Sequence, residues 1–365
     1  MARKLKWDVW LFATTLVLVA VSILMVYSAS EAIAARQGEE NPFVAKQVLF
    51  AVLGLVSMFA AMHVDYTRYR NPRVILAVIA LTVVALLAVL IVGPKINGTR
   101  RWFGVGGIGI QPSELAKLTL ILAAAAFLEQ RMRRIDEIRA IAPLLSLVLL
   151  LAALVMAQPD YGSAATLIAI VGVMMFAAGL PLKYLAGLGG LAAGVLAGLA
   201  VLEPYRLRRL LAFLDPWQDR FGDGFQVVQS IIAVGTGGVA GRGLGYSVQK
   251  LFYLPYPQTD FIFAVLSEEL GLVGSTAIVA CFAVIAWRGL RTALRAPDAF
   301  GSFLALGLTA MIAVQAFVNI SVVLGMLPTK GITLPFVSAG GSSLLVSLAG
   351  MGVLLNISQH ASATS

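Results

Sequence analysis

A carboxylate stands where a polar segment of the chain meets a long apolar run. Residues 254–260 read Leu-Pro-Tyr-Pro-Gln-Thr-Asp, and residues 261–266 continue as Phe-Ile-Phe-Ala-Val-Leu. An ionisable side chain at the edge of a lipid-soluble helix is costly to hold and is by default a candidate for function. Asp260 is therefore the leading candidate for a functional residue, and the alternative is a helix N-cap.

Three further polar clusters lie in segments that connect apolar runs. Their candidate side chains are Arg100, Arg101, Gln111, Glu114 and Lys117 in the first cluster, Asp160 in the second, and Lys330, Ser338 and Ser342 in the third. Glu114 and Lys117 are three residues apart, so they share a helical face and form either a structural ion pair or part of a site. Asp160 is typical of a helix cap as well as of a site. The glycine-serine turn before Ser342 suits an anion or an ordinary helix entry.

A long polar segment covers residues 203–260 and carries the cations Arg208, Arg209 and Lys250. Within it, residues 225–234 have helical spacing, and the glycine-dense residues 235–245 predict a flexible turn region. About two turns beyond Asp260 come Glu268 and Glu269. Adjacent acids on one helix point to different faces, so at least one of them needs an internal partner.

The composition places the chain in the membrane. It is 59% hydrophobic and 12% charged with a mean hydropathy of +0.90, against roughly 25% charged residues in a soluble domain. One cysteine, Cys281, and two histidines exclude a disulfide framework and a Cys- or His-based metal centre. The prediction is a single all-α membrane domain over residues 1–365 with no tightly bound metal. The basic N-terminus before the first apolar run reads as a retained span.

Apolar stretches of about 17 to 25 residues predict ten membrane helices. They begin near Val9, Gln47, Val74, Ser113, Ile141, Ser163, Leu182, Phe261, Ser302 and Ser342. With a cytoplasmic N-terminus, the inner segments hold fourteen cations and the short outer loops six. Cytoplasmic loops are enriched in Lys and Arg, so both termini are predicted inside, with a large outer loop between the seventh and eighth helices. The outward clusters of arginines and carboxylates then indicate a protein that handles an anionic lipid, since arginine binds phosphate in bidentate fashion.

The motifs resemble those of the SEDS family, the shape, elongation, division and sporulation proteins of bacteria. The matching segments run in family order at residues 98–102, 111–117, 158–160, 215–217, 243–251, 259–263, 268–271 and 335–343. Residues 247–250 and 327–336 look like the FtsW division branch more than the RodA elongation branch. Two departures occur: Tyr256 and Gln258 replace a Glu and a His of the family pattern, and Ala339 replaces a Tyr.

The resemblance implies a peptidoglycan glycosyltransferase that polymerises lipid II at the outer face of the bacterial cytoplasmic membrane, at the division septum. Asp260 would be the general base, with a pKa set by partial burial and nearby arginines, which act in opposite directions. The diphosphate leaving group would be stabilised by Arg100, Arg101, Arg208, Arg209, Lys250 and Lys330. A divalent cation, Mg or Mn, sharing that task is left open. The implied partners are lipid II, a class B penicillin-binding transpeptidase and other divisome membrane proteins, with no nucleic acid. A lipid II flippase, a RodA-like enzyme of elongation and a scaffold for the transpeptidase are the alternatives.

Overall fold

The structure is a computed structural model. It describes residues 6–37, 41–96, 98–105, 108–132, 135, 137–201, 208, 212–329 and 331–361. Arg209 and Lys330, both predicted to bind substrate, lie outside the described residues.

Helices make up nearly all of the regular structure. Their bounds are α1 Val9–Gln37, α2 Pro42–His63, α3 Pro72–Val92, α4 Pro112–Arg131, α5 Ile138–Met156, α6 Tyr161–Ala177, α7 Leu182–Val201, α8 Phe225–Gly237, α9 Ile262–Arg295, α10 Ala299–Val323 and α11 Gly341–Ala361. A short 3-10 helix, Tyr66–Arg70, joins α2 to α3, and an antiparallel pair of strands, β1 Phe103–Val105 and β2 Ile108–Ile110, precedes α4.

Local signals explain where the helices begin. Proline occupies the first turn of α2, α3 and α4, where its missing N–H costs no hydrogen bond. Asn41, Asn71 and Asp298 cap α2, α3 and α10 through their side chains. All ten predicted spans correspond to a helix that begins within five residues of the predicted start. The helix predicted at residues 225–234 is confirmed as α8.

The chain is a multi-pass membrane protein. Seven helices in the described part are long and apolar enough to cross a membrane, namely α1, α2, α3, α5, α9, α10 and α11. Helix α6, with 17 residues, is a shorter apolar helix, and α4 carries charged residues along its length. The total of ten spans and the orientation stay predictions.

The bundle has two faces and a buried centre. Helices α10 and α11 lie inside the bundle. In an apolar 18-residue stretch of each, 67% and 78% of the residues are buried, against 17% in the corresponding stretch of α3. At one end Asp8, before α1, accepts from Arg288 in α9, and its N–H donates to Ser358 in α11. Both ends of the described chain therefore meet at one face, here called the terminal face. The opposite end of α9, α10 and α11, the site face, carries Asp260.

Helix α9 is interrupted near its first third. Gly271 has φ 65° and ψ −163°, which only glycine adopts easily. The carbonyls of Glu268 and Glu269, freed by the break, accept from the N–H groups of Arg242 and Gly243, each at 3.0 Å. The N–H groups of Leu272 and Val273 in turn donate to Gly238 and Val239. Two carbonyls and two N–H groups at the break thus find new backbone partners in the segment that follows α8.

The glycine-dense segment at the end of α8 and after it therefore packs its backbone against α9, although most of its residues are exposed. A Cβ on Gly241 would collide with the carbonyl oxygen of Glu269, and one on Gly237 with that of Ser267. The predicted turn region is present at residues 238–245, and its backbone packs on α9 at Gly241. Glycine is required there because backbone packs directly on backbone.

Candidate active site

Asp260 lies in the turn that leads into α9 at the site face. The helix begins at Ile262 with Phe261 at the N-cap position, and no side chain caps it. The alternative reading of Asp260 as an N-cap is therefore wrong. The backbone carbonyl of Asp260 accepts a hydrogen bond from the side chain of Asn319 at 2.9 Å.

The surroundings of Asp260 make it an unusually basic carboxylate. The pKa of Asp260 is raised to about 6 by burial, the larger cause, and by the nearby negative charge of Asp160, whereas Arg101 and a hydrogen bond from Thr259 act to lower it. Opposing effects of burial and an arginine were predicted, and the acidic neighbour was not. A carboxyl group with a pKa near 6 is mostly ionised at neutral pH and still accepts protons well.

Asp160 and Arg101 reach the site from two different connections. Asp160 caps α6 by accepting from the N–H of Ser163 at 3.1 Å, and its second oxygen accepts from the side chain of Gln111 at 3.1 Å. Arg101 donates to the carbonyls of Gln158, at 2.8 Å, and Pro159, at 2.7 Å. Asp160 is thus both a cap and a neighbour of Asp260.

The segment before α11 forms the other wall. A Cβ placed on Gly331 would lie 3.2 Å from a carboxylate oxygen of Asp260. The hydroxyl of Ser338 donates to the carbonyl of Thr259 at 2.6 Å, and the N–H of Ala339 donates to the carbonyl of Gln258 at 2.9 Å. Ser338 therefore ties this wall to the segment that carries Asp260.

Ser342, at the start of α11, joins the strand pair to the bundle. Its hydroxyl donates to the carbonyl of Gly109 and accepts from the N–H of Gln111, both at 3.0 Å. The structure thus brings Arg101, Gln111, Asp160, Ser338 and Ser342 together around Asp260, from residues up to 159 positions before Asp260 in sequence. Roles of these residues in substrate binding stay predictions.

Glu114 and Lys117 form a buried ion pair in the first turns of α4. The ammonium of Lys117 lies 2.7 Å from one oxygen of Glu114, and both side chains are at least nine-tenths buried. With its amide turned so that the oxygen faces the ammonium, Gln315 in α10 accepts from Lys117 as well. The second oxygen of Glu114 has no partner. The predicted pairing is confirmed, and the choice between a structural pair and a substrate site stays open.

Lys250 belongs to a separate buried cluster. Its ammonium donates to the hydroxyl of Ser28, at 2.9 Å, and to Glu269, at 3.2 Å. Glu268 accepts from the hydroxyl of Ser247 and from two N–H groups of the same loop. Both glutamates thus have internal partners, whereas the sequence required a partner for at least one of them. The charge of Lys250 is compensated here, and its role in substrate binding stays a prediction.

The other two described cations with a predicted role, Arg100 and Arg208, make their contacts elsewhere in the chain. Arg100 donates to the carbonyls of Leu90 and Ile91 and so caps the end of α3. Arg208 is exposed and lies 3.5 Å from Asp223. Sequence reasoning missed Asn319, which is one of two buried amides in α10, together with Gln315; polar side chains in an apolar helix are the signal that could have found it. Among the described residues, no group of three or more His, Cys, Asp and Glu side chains is placed to hold a metal.

Fold and site together define a multi-pass α-helical membrane protein with a carboxylate of raised pKa at one face. The chain belongs to the FtsW/RodA/SpoVE family, described as "Cell cycle protein", whose sequence profile matches residues 8–363. The stage V sporulation protein E of Bacillus subtilis (strain 168) is 45% identical over 360 residues, which cover 98% of each chain. The probable peptidoglycan glycosyltransferase FtsW of Geobacter sp. (strain M18) is 42% identical over 360 residues, again 98% of each chain.

Solved structures show the same architecture. A chain in a structure described as "Structural coordination of polymerization and crosslinking by a peptidoglycan synthase complex" has a TM-score of 0.82 and 32% identity, covering 98% of this chain and 99% of that one. The rod shape determining protein RodA of Thermus thermophilus has a TM-score of 0.73 and 30% identity, covering 97% of each chain. The resemblance to the SEDS family, on its FtsW-like side, is confirmed.

Proposed function

We propose that this protein is a peptidoglycan glycosyltransferase that polymerises lipid II at the outer face of the bacterial cytoplasmic membrane. The observation that carries the proposal is Asp260, a half-buried carboxylate with a pKa of about 6 beside Arg101 at the site face. A general base for a sugar hydroxyl needs this combination of ionisation at neutral pH and raised basicity. The names of the relatives at 42% identity and of the synthase complex supply the substrate class.

In the proposed reaction, a hydroxyl oxygen of the acceptor sugar forms a bond to the anomeric carbon of the donor sugar. The bond between that carbon and the diphosphate oxygen breaks, and undecaprenyl diphosphate leaves with the electron pair. The hydroxyl proton passes to the carboxylate of Asp260. The proton then leaves to solvent, which returns Asp260 to its ionised form for the next addition.

The negative charge that develops on the diphosphate requires cations placed in advance. Arg101 is a cation whose charge acts on Asp260 and lowers its pKa. We assign it to the leaving group, together with Arg100, Arg208, Arg209 and Lys330 as further predicted contacts. Mg or Mn, bound chiefly by the diphosphate and one or two carboxylates, remains compatible with this assignment.

We further propose that the enzyme works with a class B penicillin-binding transpeptidase and other divisome membrane proteins at the division septum. The neighbour at a TM-score of 0.82 comes from a complex whose description joins polymerization to crosslinking. The FtsW-named relatives support the division role over the elongation role.

A flippase would use the same lipid without bond chemistry, and it needs ionisable groups along a path through the membrane. Two buried pairs, Glu114 with Lys117 in α4 and Glu269 in α9 with Lys250 in the preceding loop, compensate each other internally. That arrangement favours the enzyme.

The decisive experiment supplies labelled lipid II in detergent to the full-length protein with its transpeptidase partner. Detergent removes the two-sided membrane, so a polymerase still makes glycan strands and a flippase has no task. Asp260→Asn keeps the shape of the side chain and removes the base, so we expect a loss of about a hundred- to ten-thousand-fold in polymer formation. Equal activity of wild type and Asp260→Asn would refute the role of Asp260. Lipid II binding without polymer in both would favour the flippase.

A further inference from the structure

One buried amide joins the two segments that meet at Asp260. Asn319, near the site end of α10, is 2% exposed. Its side-chain nitrogen donates to the carbonyl of Asp260 at 2.9 Å and to the carbonyl of Ile332 at 2.7 Å. The first carbonyl belongs to the segment before α9, and the second to the segment before α11. A single side chain therefore sets the spacing between both walls of the site.

The distances around this bridge are short enough for small shifts to matter. Gly331 is the neighbour of Ile332, and a Cβ on it would come 3.2 Å from the carboxylate of Asp260. Ser338 holds the same two segments together from the other side through the carbonyl of Thr259. Ser338 lies within one of those segments, whereas Asn319 attaches both segments to the membrane-embedded helix α10. The bridge thus fixes the site relative to the bundle.

The amide of Asn319 is also more than a packing element. Its oxygen is buried and has no hydrogen-bond partner. An apolar side chain of the same size would avoid that unpaired oxygen at no loss of packing, but it would supply neither of the two donated bonds. An asparagine is therefore expected here if the two donated bonds, which fix the position of the backbone, matter more than the unpaired side-chain oxygen.

We propose that Asn319 is a positioning residue for the glycosyl transfer. It holds the backbone of Asp260 against the 331–338 segment, so that the carboxylate stands within reach of the acceptor hydroxyl. The inference rests on the proposed function, because it presumes that Asp260 is the base. Asn319 acts through Asp260 and touches neither sugar.

The chain offers a matched control at the opposite face. Asn356 in α11 is 4% exposed. Its nitrogen donates to the carbonyl of Met62 at 2.9 Å, and its oxygen accepts from the N–H of Tyr66 at 3.0 Å. It therefore binds two backbone groups as Asn319 does, at a similar burial, but both belong to the junction between α2 and the 3-10 helix, at the terminal face and away from Asp260. Loss of Asn356 should affect stability without affecting the chemistry.

The test compares Asn319→Leu with Asn356→Leu in the full-length protein with its transpeptidase, using lipid II polymerisation and Tm in detergent. We expect similar losses of Tm in the two variants. Asn319→Leu should lower kcat about a hundredfold, the order expected for a misplacement of about 1 Å. The substitution should change KM much less. The acid limb of its pH–rate profile should also move, because a displaced Asp260 has a changed environment. Asn356→Leu should keep wild-type kcat and pH dependence.

Equal kcat in the two variants, or a kcat loss that only follows the loss of folded protein, would overturn the positioning role. If a Leu variant does not fold, Asn319→Ser and Asn356→Ser carry the same comparison, since a serine hydroxyl restores one donor. Asp260→Asn separates the two ideas. An active Asp260→Asn refutes the base itself, whereas an inactive Asp260→Asn with a fully active Asn319→Leu refutes only the positioning.

Discussion

Replacing Asp160 with Asn tests whether an acidic neighbour tunes the base. After burial, the charge of Asp160 is the largest cause of the raised pKa of Asp260. The substitution removes that charge at nearly constant volume. Asparagine is as good an N-cap as aspartate, so the bond to the N–H of Ser163 survives. Gln111 can turn its amide to present its oxygen to the new side-chain nitrogen. We therefore expect the pKa of Asp260 to fall from about 6 toward its ordinary 3.8.

The size of the effect is bounded by the two pKa values. With a pKa of about 6, about 9% of Asp260 is ionised at pH 5, and kcat/KM there should be the same fraction of its plateau. If the whole elevation vanished, the fraction at pH 5 would be about 94%. Burial remains in the variant and is the larger cause, so the measured fraction should fall between these limits. The plateau itself should drop, since a less basic carboxylate accepts the proton less well.

The assay is the rate of lipid II polymerisation at low substrate concentration between about pH 5 and 8, since kcat/KM reports the free enzyme. Arg101→Gln is the companion variant of opposite sign, because Arg101 lowers the pKa of Asp260. Its acid limb should move to higher pH. Lys330, the sequence neighbour of Gly331, lies outside the described residues and is left unchanged in both variants. Limbs that stay in place, or that move in the same direction in both variants, would refute the electrostatic account.

Two further predictions concern the packing of the site's support. Gly241→Ala should lower the free energy of unfolding by about 1–3 kcal/mol more than Gly245→Ala. Both glycines have positive φ, but only Gly241 abuts the backbone of Glu269. Equal losses of Tm would mean that the segment after α8 does not pack tightly on α9. Lys250→Met should cost about 3–5 kcal/mol by leaving Glu269 buried and unpaired, and Lys250→Met with Glu269→Gln should regain most of it. If that double variant regains Tm but not polymerisation, Lys250 contacts substrate after all.

Much of the site could be predicted from isolated residues in unusual places. Asp260 was identified because a carboxylate at the edge of an apolar run is costly. Asp160 and Arg101 were identified as polar residues between spans, but their proximity to Asp260 could not be, because they come from two other connections. Asn319 was missed, since the amide lies inside an apolar helix and its two acceptors are backbone carbonyls of distant segments.

The loop chemistry was harder to predict than the helices. Residues 235–245 are rich in glycine, and that composition is typical of mobile turns as well as of tight packing. Only the break of α9 at Gly271 distinguishes the two, because the freed carbonyls of Glu268 and Glu269 have to find donors inside the membrane. The side chains of both glutamates also contact the loop at residues 247–250.

By itself, the sequence determined the membrane class, the helices at the predicted spans, the helix starts at proline and cap residues, and the candidacy of Asp260. These properties are local, since hydropathy, capping and the cost of a buried charge depend on a residue and its near neighbours. Tertiary structure decided the pKa of Asp260, the pairing of Lys250 with Glu269, and the bridge made by Asn319. Each depends on distances between residues far apart in the chain, and electrostatic and hydrogen-bond energies change steeply with those distances.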